Sequence, residues 1–276
     1  MSNITVQVLQ TGTVEVAPGL PFKTTNNPLA AVLGSKNKRI ALPVSAYLVK
    51  SPHGTLLFDT GWGKAIRGNQ REYLHWPNNV PNHGVLPKGQ DITTLLAGAG
   101  VAPHDIDAVL FSHLDLDHAS GLLEIAGPGI DGAKRVMVSR EEWEAAESSH
   151  VRYVKEMWQG VDMDVFDFED TGFGPFGRSL DLYGDGMLIA VWLPGHTAGS
   201  TGLVITDPES GHYLILTGDC GYARKSWRQM IEPGLAIDRE KLHTSLAWLH
   251  DRAADPHCID ALACHDRDVV PCVIDV

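Results

Sequence analysis

Between Val109 and Leu122 the chain reads VLFSHLDLDHASGL, and six of these residues, 113 to 118, include His113, Asp115, Asp117 and His118. Neutral imidazole and ionised carboxylate are ordinary nitrogen and oxygen ligands of divalent first-row metal ions. In a tight loop the adjacent pair Asp117-His118 cannot easily face the same way as His113-Leu114-Asp115, a geometry that suits two neighbouring ions. Three later fragments carry the same residue types. LPGHTAGS places His196 in a turn after an apolar run, LILTGDCGY places Asp219 after another, and ALACHD places His265 after a third.

These residues need strands that end where they begin. IDAVLFS reads as a buried strand opening into HLDLDH, and ligand clusters in open α/β sheets gather beyond the carboxyl ends of strands. Upstream, ITVQVLQTG alternates as a strand does, and LPVSAYLVKSPHGTLLFDTG reads as two strands joined by a turn at Ser51 to Gly54. DITTLLAGAG reads as a helix with Asp91 as N-cap and Gly100 near its end. GAKRVMVS is a further strand, and REEWEAAE opens a helix. Beyond an irregular stretch near Thr171 to Gly177, LDLYGDGMLIAVWLPG and TGLVITDPESGHYLILTGD read as hairpins, the second turning at Pro208 to Gly211. DREKLHTSLAWLHDRA is a helix and IDALACH a last strand. The segment from Trp62 to Gly89, rich in Gly, Asn, Pro and aromatics, suggests a lid or pocket wall as well as a plain surface connection. No linker interrupts the order, so residues 1–276 are read as one domain of α/β class.

Bulk properties narrow the function. The chain has 276 residues, 43% of them apolar, and a formal charge of −12. No basic face for nucleic acid is visible, and no apolar run approaches the roughly 18 residues of a membrane span. The start, MSNITVQVLQTG, lacks a signal-peptide pattern, and Cys220, Cys258, Cys264 and Cys272 form no C-x-x-C pair. A cytoplasmic protein with reduced thiols is expected. Of the remaining histidines, His75 and His83 fall in the suspected wall, and His53, His104, His150, His212, His243, His250 and His257 have no supporting pattern.

From FDTG at Phe58 to CHD at Cys264 the chain resembles the metallo-β-lactamase-fold hydrolases, with their H-x-H-x-D-H motif followed by separate His, Asp and His. LPVSAYLVKSPHGTLLFDTG, DLYGDG and TGDCGY further resemble the N-acyl homoserine lactonase branch. The resemblance implies an αββα sandwich of two mixed sheets with outer helices. It implies one metal on His113, position 115 and His196, a second on Asp117, His118 and His265, and Asp219 bridging both. Asp59 matches an acid that supports the ligands, although a turn acid after a strand would look the same.

Position 115 departs from the family, which has histidine there. Aspartate is shorter, so its reach to a metal depends on the loop, and the alternative is that Asp115 only supports other ligands and one strong metal site remains. If Asp115 binds, then with Asp117, Asp219 and a bridging hydroxide it neutralises two divalent ions, which weakens polarisation of bound water. Zinc is the expected metal, with iron or manganese favoured by the extra carboxylate. The implied activity is hydrolysis of a small ester, foremost an acyl lactone of the quorum-quenching kind, by a metal-bridging hydroxide. Asp117 would shuttle the proton to the leaving oxygen. Tyr222 would donate to the oxyanion, unless it is only a packed loop aromatic. Trp62, Tyr73 and Trp76 are candidates for an acyl pocket. The partner expected is a small acyl ester or lactone, without nucleic acid or membrane, and a homodimer stays open. The alternatives are a thioester hydrolase of glyoxalase II type, a di-iron redox protein, and a ligand-binding protein. Only eleven residues follow His265, too few for a glutathione-gripping helical segment or a flavodoxin-like module.

Overall fold

Burial along the strands assigns their two faces. In the computed structural model, which describes residues 4–24, 27, 30, 31, 38–149 and 151–276, the strands follow one another as β1 (Thr5–Val16), β2 (Ile40–Ser51), β3 (Gly54–Phe58), β4 (His83–Val85), β5 (Ala108–Leu110), β6 (Val136–Ser139), β7 (Asp164–Phe166), β8 (Glu169–Asp170), β9 (Arg178–Asp181), β10 (Leu188–Trp192), β11 (Thr201–Thr206), β12 (Tyr213–Leu216), β13 (Cys258–Leu262) and β14 (Val273–Asp275). The first three residues of the N-terminal segment, and His150, lie outside the described residues. One sheet has the order β14-β1-β2-β3-β5-β6-β7, with β4 paired to β1. The other has the order β13-β12-β11-β10-β9-β8. Both are mixed: β3, β5, β6 and β7 run parallel, β12 and β13 run parallel, and the remaining pairs are antiparallel.

Side chains on a strand alternate between faces. In β2, Tyr47 and Val49 join Leu188, Leu203, Leu214 and Leu262 of the other sheet in a layer between the sheets. Their neighbours Ala46 and Leu48 face the opposite way, into a cluster with Ile92, Leu96 and Ala146. Those three lie on the helices Ile92–Gly98 and Arg140–Ser148. On the far side of the second sheet, Val191, Val204 and Ile215 pack against Trp227, Leu242, Leu246 and Leu249 of the helices Arg224–Arg228 and Arg239–Ala253. The expected αββα sandwich is therefore the observed one.

β1 breaks its own alternation. Val6 and Val8 face the layer between the sheets, yet Val14 and Val16, at the same parity, face the outer cluster. The register against β2 shifts between Gln10 and Thr13, and an extra residue of this kind reverses which face the following side chains meet. Gly12 sits in the bulge at φ 76°, where an added Cβ would lie 2.1 Å from the Val85 carbonyl oxygen. The second half of β1 is thereby turned to the site described below.

The expected helices at Asp91 and Arg239 are present, with Asp91 and Asp238 accepting from the amides of Thr94 and Lys241 as N-caps. Several short elements went unforeseen, among them β4, β7, β8, β14 and the Arg224–Arg228 helix, each only two to five residues long and too short to show a period.

Candidate metal centre

Parallel strands deliver the candidate ligands side by side. β3 and β5 pair in parallel, so Asp59 and the 112–113 segment leave the sheet together. β12 and β13 pair with Leu216 opposite Leu262, so Asp219 and His265 leave the second sheet together, three residues past each strand. His196 lies in the turn between β10 and β11. All four histidines and Asp219 are buried and pooled in one place.

Asp219 lies between two histidine pairs. Its Oδ1 is 3.3 Å from His265 Nε2 and 3.5 Å from His118 Nε2. Its Oδ2 is 3.8 Å from His196 Nε2 and 4.0 Å from His113 Nε2. Asp117 completes one side, 3.5 Å from His265 Nε2 and 4.0 Å from His118 Nε2. Asp115 Oδ2 completes the other, 3.1 Å from His196 Nε2 and 3.4 Å from His113 Nε2. The shorter aspartate thus reaches the pool.

The rings are aimed from behind. Asp59 Oδ2 faces His118 Nδ1 at 2.8 Å, the Pro43 carbonyl faces His265 Nδ1 at 2.8 Å, and Ser112 Oγ lies 2.9 Å from His113 Nδ1. Ser112 in turn donates its hydroxyl and its amide to the Asp59 carboxylate, so its Oγ accepts from His113. Ring N–H groups held in this way leave Nε2 free to donate a lone pair. His113 Nε2, His118 Nε2 and Asp219 Oδ1 are buried without a hydrogen-bond partner. Orphaned buried polar atoms are costly, and here they converge, with nitrogen and oxygen donors mixed in the manner of divalent-ion sites. The residues fit a pair of metal ions: His113, His196 and Asp219 cluster tightly enough for one, and Asp117, His118 and His265 for another.

Charge follows the same arrangement. Burial alone would raise the Asp219 carboxyl, but His265 and His118 outweigh it and hold the group well below the usual carboxylate range. Burial also opposes ionisation of Asp115, which the Arg152 guanidinium overcomes. Burial raises the Tyr222 phenol well above its ordinary value, helped by Asp219, Asp117 and Asp115, so its O–H persists. The Tyr222 ring stacks on His265, centroids 5.0 Å apart, and meets His196 edge-on.

Several residues at the site carried no signal in the sequence. Arg152 Nε donates to Asp115 Oδ1 at 2.7 Å and Nη2 to Oδ2 at 2.6 Å, a bidentate pair. This cation corrects the expected charge balance, because it offsets the added carboxylate at 115. Glu142 is fully buried and accepts from the Leu114 amide, the Tyr153 hydroxyl and the Gly199 amide, tying both ligand loops to one helix. Gly199 is required for that approach, since a Cβ there would lie 2.1 Å from the Glu142 amide nitrogen. Ser112 aims His113. None of these three side chains belongs to a spaced motif.

The cleft over the pool has an apolar wall of Val14, Val16, Leu20, Leu116 and Leu235. Asn78, Asn82, Arg152 and Tyr222 supply its polar groups. Asn78, Pro81 and Asn82 come from the 62–89 segment, as expected of a pocket wall. The aromatics chosen from that segment do not line the cleft. Trp62 is fully buried in the outer cluster, Tyr73 bonds Ser120 Oγ, and Trp76 is 81% exposed. His75 pairs with Glu156 at the surface and His83 is exposed, both away from the pool. The cysteines are all free. No helix among the described residues is long and apolar enough to cross a membrane.

Comparison with known proteins agrees with this geometry. N-acyl homoserine lactonase AttM of Rhizobium radiobacter is 26% identical over 280 residues, covering 97% of this chain and 95% of that protein. AttM of Azorhizobium caulinodans is 25% identical, covering 83% and 84%. In fold, the chain is similar to a B. thuringiensis AiiA mutant with N-decanoyl-L-homoserine bound at the active site. The TM-score is 0.77 at 20% identity, covering 97% of this chain and 95% of that one. The dizinc quorum-quenching lactonase AidC superposes with a TM-score of 0.65 at 16% identity, covering 97% and 89%. Residues 39–246 match the family described as the metallo-beta-lactamase superfamily, and the chain belongs to that superfamily.

Proposed function

We propose that this protein is a metal-dependent hydrolase of acyl lactones, of the N-acyl homoserine lactone class, working with two divalent ions. The observation that carries the reading is Asp219, whose two oxygens face two separate histidine pairs. The lactonase relatives support it, covered over most of their length. His113, Asp115 and His196 would hold one ion and Asp117, His118 and His265 the other, with Asp219 placed between the two sets. Zinc suits the mixed donors, and Asp115 makes its own half richer in oxygen and more accommodating to iron or manganese.

Bound divalent ions supply Lewis acidity, lowering the pKa of water and polarising an acyl carbonyl. The chain's own groups do the rest. Asp219 sets the separation of the two halves. Asp117 opens onto the cleft as well as onto His265, so it can carry a proton from the attacking water to the leaving oxygen. The Tyr222 O–H, kept protonated by burial, donates to the oxygen where negative charge develops. The aliphatic wall takes the acyl chain, and Asn78 and Asn82 offer amide groups to the substrate head.

The test is a panel of acyl homoserine lactones, simple esters and acyl thioesters, followed by acid release with metal-stripped and reloaded protein. Lactone turnover that disappears on stripping, and in His118→Ala, is the expected result. Faster thioester than lactone turnover would replace the reading with a thioesterase. Oxygen consumption without hydrolysis would replace it with a redox role.

A further inference from the structure

The two halves of the pool are built differently. On the side of Asp117, His118 and His265, both histidines are held through Nδ1, and His118 Nε2 has no hydrogen-bond partner. On the other side His113 is likewise held through Nδ1 with Nε2 unpartnered, but His196 Nε2 already has partners: Arg152 Nη2 at 3.0 Å and Asp115 Oδ2 at 3.1 Å. In one ring tautomer it accepts from the guanidinium, and in the other it donates to the carboxylate. In both, the nitrogen that would bind an ion is engaged. Its Nδ1 has no partner to fix the ring from behind.

Asp115 is engaged as well. Arg152 occupies both of its oxygens, Nε on Oδ1 and Nη2 on Oδ2, and Nη1 also donates to the His196 carbonyl at 3.1 Å. A carboxylate clamped by a guanidinium carries less net charge toward a cation and has fewer lone pairs to give. Among the described residues Asp115 is the only carboxylate within ion-pair distance of Arg152. The guanidinium stands beside the His113–Asp115–His196 side, where its positive charge repels an arriving ion.

We infer that Arg152 is a positioning residue that makes the two ion sites unequal, holding the His113–Asp115–His196 site weak and exchangeable while the Asp117–His118–His265 site stays tight. The inference rests on reading the pool as a two-ion centre. Its physical content is competition: an ion entering the weak site must break the Arg152 or Asp115 contact of His196 Nε2 and bind a carboxylate already neutralised by its partner. Removing the guanidinium therefore tightens that site, whereas loss of a merely structural arginine would loosen it.

The experiment is a Zn²⁺ titration of the metal-stripped full-length chain against a chromophoric chelator, with elemental analysis after dialysis against graded chelator. The wild type is expected to fill in two steps at least 100-fold apart. His265→Ala should abolish the tight step and His196→Ala the weak one. Arg152→Met should tighten the weak step at least tenfold and leave the tight step in place. Two steps of equal affinity, the reverse assignment of the steps, or a weak step loosened by Arg152→Met would overturn the inference and leave the hydrolase reading standing. No bound zinc at any concentration would overturn both. If Arg152→Met does not keep the wild-type melting curve, the order and assignment of the wild-type steps decide the matter.

Discussion

Asp59 Oδ2 and His118 Nδ1 meet at 2.8 Å beneath the pool, both side chains almost wholly removed from solvent. The same carboxylate accepts from the amide and hydroxyl of Ser112, which aims His113. One acid therefore orients a histidine on each side of the centre. Asp59 sits at φ 61°, a left-handed conformation that asparagine tolerates better than most residues. Asp59→Asn should keep the backbone and lose the charge. Metal affinity or kcat/KM should fall about 10- to 100-fold, the usual cost of removing a group that orients a ligand. Wild-type affinity and turnover in the variant would show that Asp59 is only a turn acid.

Glu142 predicts a stability effect apart from chemistry. Glu142→Ala strands the Leu114 and Gly199 amides in a buried region. Each orphaned buried donor costs about 1–3 kcal/mol, so for two of them unfolding in urea should show a loss of roughly 2–6 kcal/mol. Glu142→Gln retains one acceptor and should lose less.

For Tyr222 the informative change is to phenylalanine, which keeps the ring on His265 and removes only the O–H. A lost oxyanion donor costs about 100-fold or more where it acts alone. Here bound ions would share the work, and kcat on a lactone should fall about 10- to 100-fold with little change in KM. A rise in KM at constant kcat would assign the phenol to substrate binding instead.

The cysteines give a pH prediction. Cys272 is exposed, while burial, with Asp260 and Asp255 adding to it, pushes the Cys258 thiol up to about 11. At neutral pH a disulfide reagent should label Cys272 first. Cys258 should lag and gain speed as pH rises toward 11, because the thiolate is the nucleophile. The sign for stability follows. With a folded value above the ordinary thiol value of about 8.5, the Cys258 contribution is complete below that pH and is lost as pH rises through 11. A Cys258→Ser variant should show a smaller fall in Tm between pH 8 and pH 11.

Much of the pooled cluster was legible because its candidate ligands are adjacent in sequence or stand just past apolar strands. His113, Asp117 and His118 needed only their spacing, and His196, Asp219 and His265 only their strand ends. The strands by themselves indicated only mixed sheets with outer helices, and the resemblance implied the sandwich, because a strand such as β2 is buried on both faces and its burial does not alternate. What escaped was pairing across long separations. Arg152 lies 37 residues from Asp115, and Glu142 lies 57 from Gly199, with nothing local to couple them. A carboxylate in place of a histidine does announce that a charge needs an answer, though not where the answer lies. The aromatics at 62, 73 and 76 were misplaced for another reason: a loop folding back on the sheet buries Trp62 and turns Trp76 outward, and no periodicity exists there to say which.

The bulge at Gly12 has a consequence for how this protein can change. Upstream of it β1 serves the interior, and downstream of it the same strand serves the cleft through Val14 and Val16. A one-residue bulge thus gives a single stretch of backbone two different neighbourhoods. Val6, Val8, Val14 and Val16 are all buried, so exchange at any of them should cost stability, but only at Val14 or Val16, which also line the cleft, should it shift acyl-chain preference as well.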